Sequence, residues 1–152
     1  MDVVVSTKGS PEGRGGFQWT RAANSWAQAV GPPVRDAIRK RAPVGKGPGA
    51  GKLRDRIRAR TSGSSGAVRA EFIAYVPYAG YVRDGTRAHV IVPRNASVLR
   101  FTSAAGSPVF AHRVNHPGTK PNPFAKDAVV AQLPMVRAAF TDIMRTAMGG
   151  KP

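Results

Sequence analysis

The sequence contains no cysteine, so disulfides and thiolate-ligated metals are excluded. It is also short of acid: eight Asp and Glu stand against 24 Lys and Arg. That leaves little from which to build the paired carboxylates of acid–base catalysis. There is no Gly-x-Ser-x-Gly, the elbow on which a nucleophilic serine is mounted. No apolar stretch approaches the length of a membrane-spanning helix. Met1-Asp2-Val3-Val4-Val5 lacks the basic start and long apolar run of a secretion signal. These absences together lead us to expect a non-enzymatic protein without cofactor or metal, made and used in the cytoplasm or in a particle assembled there.

Two weak chemical signals fail on context. His112 and His116 are four apart, with His89 as a possible third metal ligand. The residues around them read as strand and proline-rich loop, so the spacing does not place the rings on one helical face. Residues 45–52 faintly resemble a phosphate loop. Leu53 stands where that motif needs Ser or Thr, Lys46 stands where it needs its first glycine, and no apolar strand precedes it.

What is present in excess is positive charge, a formal net +16. A surplus of this size implies polyanionic or acidic neighbours and says nothing about fold. Its densest run lies between Arg35 and Arg60. Leu53 and Ile57 could line a helical turn there, but the alternation of Arg54, Arg56, Arg58 and Arg60 suits a strand with one basic face. With Lys52, these residues make a basic face suited to phosphates or to an acidic neighbour. No base-reading motif accompanies them.

Glycine and proline are also abundant, at 17 and 13 residues, which implies long loops and extended arms. Residues 1–16 are expected to be a flexible N-terminal segment. A single α+β domain follows over 17–148, and 149–152 form a tail. Trp19, Ala23, Trp26, Val30, Val34 and Ile38 mark an N-terminal helix whose stripe serves core or subunit packing. Gly31-Pro32-Pro33 should kink it or divide it into two. Val68–Val76, His89–Val92, Val98–Thr102 and Pro108–Val114 read as strands of a small antiparallel sheet. Tyr78–Val82 reads as a short helical turn. Val129, Leu133, Val136, Phe140 and Met144 line a long C-terminal helix, bent at Pro134 and stopped by Gly149-Gly150. Between sheet and helix lies His116-Pro117-Gly118-Thr119-Lys120-Pro121-Asn122-Pro123-Phe124, whose prolines dictate a stiff, extended connector. Its expected work is to hold the final helix at a fixed angle to the sheet.

The order of these pieces, with Tyr81-Val82-x-x-Gly85-Thr86 and the His116–Phe124 run as its specific parts, resembles the neck or tail-completion family of long-tailed bacteriophages. It is similar, more distantly, to the minor tail protein Z group. The resemblance spans roughly Trp19 to Met144. The family carries an acidic residue in the turn before Gly-Thr, where this chain has Arg83-Asp84; segments 1–16 and 46–51 look peculiar to this chain. The resemblance implies a virion part at the head–tail junction, forming a ring, with a hexamer expected. Head-closure and tail-terminator or tail-tube proteins would be its neighbours, genome DNA would pass through its lumen, and no membrane would be involved. A tail terminator, or a basic nucleic-acid-binding protein, is the alternative. Tyr78, Tyr81, Gly85, Thr86, His116, Pro117, Gly118, Pro121, Pro123 and Phe124 are then expected at packing or subunit contacts.

Overall fold

The computed structural model describes residues 2–8, 14–45, 51–64, 67–103 and 105–147. The chain is α+β. Strand β1 (Asp2–Lys8) precedes helix α1 (Arg14–Arg41), the single-turn α2 (Lys52–Asp55), and strands β2 (Ile57–Ser64) and β3 (Ala67–Ala74). The short helix α3 (Ala79–Asp84) leads into β4 (His89–Ile91), β5 (Leu99–Thr102), β6 (Pro108–Ala111) and β7 (Val114–His116), and α4 (Phe124–Ala147) follows.

The body is a three-stranded antiparallel sheet in the order β1-β3-β2, with α1 packed on it through β2 and β3 and α4 packed on α1, all joined in one core. Alternation in β3 sets the faces: Val68, Ala70, Phe72 and Ala74 are buried, while Arg69 is exposed. On α1, Ala23, Trp26, Ala27, Val30, Val34 and Ile38 form the buried stripe. On α4, Phe124, Ala125, Ala128, Val129 and Val136 answer it. Small alanines at the helix contacts let the two backbones approach, and Trp26 fills the space left. Its indole Nε1–H donates to the Val136 carbonyl at 3.0 Å, and its ring meets Phe140 edge-on with centroids 5.7 Å apart. Arg39 ties the same helix to the sheet: Nε and Nη2 both donate to the Ile57 carbonyl, at 3.2 and 2.8 Å.

Several expectations need revision. Asp2–Lys8, expected to lie in a flexible segment, pairs with β3 at seven consecutive positions. Residues 9–13 lie outside the described residues, as do 46–50 and 148–152. Gly31-Pro32-Pro33 does not divide the first helix, which runs unbroken over Arg14–Arg41. Both prolines sit on its exposed side, and the residues whose carbonyls they free, Gln28 and Ala29, are exposed as well. Water can therefore take those hydrogen bonds. Pro134 lies inside α4 in the same way, with the exposed Val130 four residues before it.

The expected strand of alternating arginines is half helix. Leu53 and Ile57, four apart, are both buried, and that requirement wins over the charge alternation. Lys52 and Arg54 therefore stand on α2, Arg56 caps it, and only Arg58 and Arg60 lie on a strand; all five are exposed.

The largest revision concerns residues 86–119. They do not extend the main sheet. β4 pairs only with β7, and β5 only with β6, both antiparallel, and an isolated bridge joins Thr86 to Thr119. Pro108–Val114 is divided by His112 and Arg113 into two strands. The nested pairing makes one long two-stranded arm, and none of its described residues is buried.

Replacing Trp26 should report on the helix–helix seam. Trp26→Phe removes the indole donor while keeping an aromatic ring, and should cost about 1–2 kcal/mol in urea unfolding. Trp26→Ala opens a cavity and should cost about 3–5 kcal/mol. A cost near zero for Trp26→Phe would show that the bond to Val136 contributes nothing.

Candidate functional site

Among the described residues no cluster of three or more His, Cys, Asp or Glu could hold a metal ion. The surface that stands out is the arm and the groove at its root.

The root is a backbone crossing between two Gly-Thr dipeptides, Gly85-Thr86 and Gly118-Thr119. Thr86 N–H donates to the Thr119 carbonyl and Thr119 N–H to the Thr86 carbonyl, both at 3.1 Å. Thr119 N–H also reaches the Thr86 hydroxyl at 3.0 Å, and the two hydroxyls lie 3.1 Å apart. Both glycines have positive φ, 74° and 86°. A Cβ on Gly85 would run into the Thr119 carbonyl and the Pro121 nitrogen. One on Gly118 would run into the Thr86 carbonyl and the backbone of Arg87. Each strand thus occupies the space of the other's side chain, and only glycine fits at either position.

The histidines belong to this root. His89 and His116 are register partners on β4 and β7, with ring centroids 5.0 Å apart. His116 Nδ1 accepts the Gly118 N–H at 3.0 Å, so in the neutral ring the proton lies on Nε2. His89 Nδ1 lies 2.9 Å from the Arg87 carbonyl, which can only accept, so His89 carries its proton on Nδ1. His112 stands apart, higher on the arm, with Nδ1 3.0 Å from the Ser97 carbonyl. The three rings therefore do not converge. Each turns a nitrogen to the nearby backbone.

Beyond the root the connector returns to the body. Asn122 N–H donates to the Val82 and Arg83 carbonyls at 3.1 Å, closing the end of α3. Pro117, Pro121 and Pro123 are exposed, while Phe124 is buried at 3% exposure and begins α4 in the core. Asp84, on the last turn of α3, is gripped by its neighbour: Arg83 Nε and Nη2 donate to its two oxygens, each at 2.7 Å. That hydrogen bonding to Arg83 holds the Asp84 carboxyl below the usual carboxylate range.

A groove of about 730 Å³ opens between the root, α3 and the Pro43–Gly45 segment. Tyr78 and Tyr81 line it with Val44, Val82, Ile91 and His116. Both tyrosines are open to solvent, Tyr81 at 66%, so of the three rings expected to pack only Phe124 lies in the core. Thus Tyr78, Tyr81, Thr86 and His116 come together at the groove, while Gly85 and Gly118 hold the crossing beside it. The basic residues Lys52, Arg54, Arg56, Arg58 and Arg60 do not join them: they run from α2 along β2, where Arg58 and Arg60 share the sheet's outer face with Arg69. Arg58 is also engaged locally, Nη1 donating to the Asp55 carbonyl.

Sequence reasoning missed the arm's exposed apolar residues. Val90, Ile91, Val92, Phe101 and Phe110, expected only as strands of a small antiparallel sheet, are 36–60% exposed. The repeated Gly-Thr dipeptide was the available signal, since it brackets the whole arm.

A family model described as Bacteriophage HK97-gp10, putative tail-component, matches residues 14–85. The match runs from the start of α1 to the first glycine of the root. No curated protein and no solved structure matches the chain.

Gly118→Ala should open the root without touching the core. Amide exchange at Thr86 and Thr119 should speed up by at least about tenfold, the equivalent of about 1.4 kcal/mol, while exchange in β3 stays as it was. Unchanged protection at both threonines would show that the crossing tolerates a side chain.

Proposed function

With residues 14–85 matching a bacteriophage tail-component family, we propose that the chain is a non-enzymatic structural protein of a tailed phage, acting in the neck or tail-completion region of the virion. One observation carries this beyond the family match. The body builds its core without residues 86–119, and those residues form an arm that exposes Val90, Phe101 and Phe110. Exposed apolar surface of this kind marks a surface that meets other proteins. A lone soluble domain has no use for it.

In this reading copies of the chain form a ring, with a hexamer expected, between head-closure proteins and the tail terminator or tail tube. Each subunit presents two different patches, as a closed cyclic assembly requires. The groove beside Tyr78 and Tyr81 is one such patch. The exposed basic residues from Lys52 to Arg60 face either the lumen, where the genome passes, or an acidic adjoining ring. A tail-terminator position in the same stack is the second reading, favoured by the same open, cationic face.

Electron microscopy of purified virions tests the assignment. Density for this chain is expected as a ring at the head–tail junction. Density confined to the capsid shell, or no copy in the particle, would refute it. Within the ring, Arg54→Gln with Arg56→Gln should lower the yield of infectious particles by about tenfold at unchanged thermal stability, because both side chains are exposed. Normal titres would assign these arginines to a merely solvated surface.

A further inference from the structure

The arm has a charge pattern that restricts what it can meet. From Gly85 to Lys120 the sequence carries Arg87, Arg94, Arg100, Arg113 and Lys120 and no Asp or Glu. All five cations are exposed, and none of them forms an ion pair among the described residues. They are interleaved with the apolar residues: Phe110 is the register partner of Arg100, and Val114 follows Arg113 directly. A complementary surface must offer apolar ground bordered by carboxylates.

We propose that the arm docks on an acidic, partly apolar surface of a different protein of the same particle, and not on a second copy of this chain. The inference rests on the chain being a virion component. A second copy is a poor host on charge alone. The chain's net charge is +16, and three of its eight acids are paired with its own arginines. Asp36 lies 2.8 Å from Arg35, Asp84 lies 2.7 Å from Arg83, and Asp142 lies 3.7 Å from Arg145. An arm laid on such a body would set cation against cation, which costs affinity and slows encounter. Duplex DNA would suit the cations but not their companions. Val90, Ile91 and Val92 are aliphatic and exposed, and they neither stack on bases nor pair with phosphate. Their burial gains free energy only against apolar protein surface.

The arm therefore works between unlike components, while contacts between like subunits fall to the body. Photo-crosslinking in assembled particles tests this. A benzophenone amino acid is placed at Phe110 in one variant and at Val90 in another, and crosslinked peptides are identified by mass spectrometry. The expected product joins the arm to an Asp/Glu-rich segment of another virion protein at both positions. Crosslinks to a second copy of this chain, to DNA, or to nothing would overturn the proposal. Particles that contain the chain but show self-crosslinks sink this inference alone; particles without the chain sink the assembly reading as well. As an independent measurement, Arg94→Glu, Arg100→Glu and Arg113→Glu together should reduce incorporation into particles by at least about tenfold. The melting temperature of the isolated chain should stay unchanged, since none of the three touches the core. The corresponding triple lysine variant should incorporate normally. Full incorporation of the glutamate variant would overturn the proposal.

Discussion

Two backbones that pass too closely for any side chain determine how this molecule is laid out. Gly85 leaves α3 and Gly118 returns from the arm, and where the Cβ of each would stand lies the backbone that follows the other: Thr119 to Pro121 against Gly85, Thr86 to Ala88 against Gly118. The Thr86–Thr119 hydrogen bonds close that crossing and so fix where the arm begins. The crossing also constrains the return to the body. Within six residues of Gly118 the chain must start α4 with Phe124 already in the core, and Asn122 is drawn onto the end of α3 on the way. One backbone crossing thus sets where the arm leaves the body and where the last helix begins. The prolines on either side limit the conformations available between those fixed points.

The body and the arm divide the physical work. The body holds the buried apolar residues, with α1 lying between the sheet and α4, and Trp26 and Arg39 supplying hydrogen bonds at the two seams. The arm holds none, and its order comes from ladder hydrogen bonds and the locked root. A two-stranded ribbon in water is marginally stable by itself. Here both ends are clamped by the crossing, which removes part of the entropic cost of pairing.

The sequence made some of this plain and hid the rest for definite reasons. The stripe on α1, the β3 alternation and the stripe on α4 could all be read because each buries one face against a common core, and burial leaves a period. Arg14–Arg41 read as interrupted because Pro32 and Pro33 carry no sign of which side of the helix they occupy. β1 was hidden by the polar, glycine-rich residues after it. The arm's strands were legible as strands but not as an arm: exposed and buried ribbons use the same β-branched and aromatic residues, so Val90, Ile91 and Phe101 gave no sign of lacking a core. The connector was recognised as stiff, yet its close partner lies 33 residues earlier in the chain, and no local pattern announces a contact at that separation.

The dimensions of the arm have a mechanical meaning. Its shorter strand runs from Pro108 to Thr119, which at about 3.3 Å per residue allows a reach of roughly 35 Å. A globular body of about a hundred residues has a radius of gyration of only about 13 Å. The tip at Ser103–Ser107 is closed by the Gly106 N–H to Ser103 carbonyl bond. The longer strand takes up its extra residues at 92–98, between the two paired segments, so the two edges differ in length. The arm is a spacer of set length on a fixed pivot: adding or removing strand pairs between root and tip would change the distance it bridges without disturbing a single residue of the core.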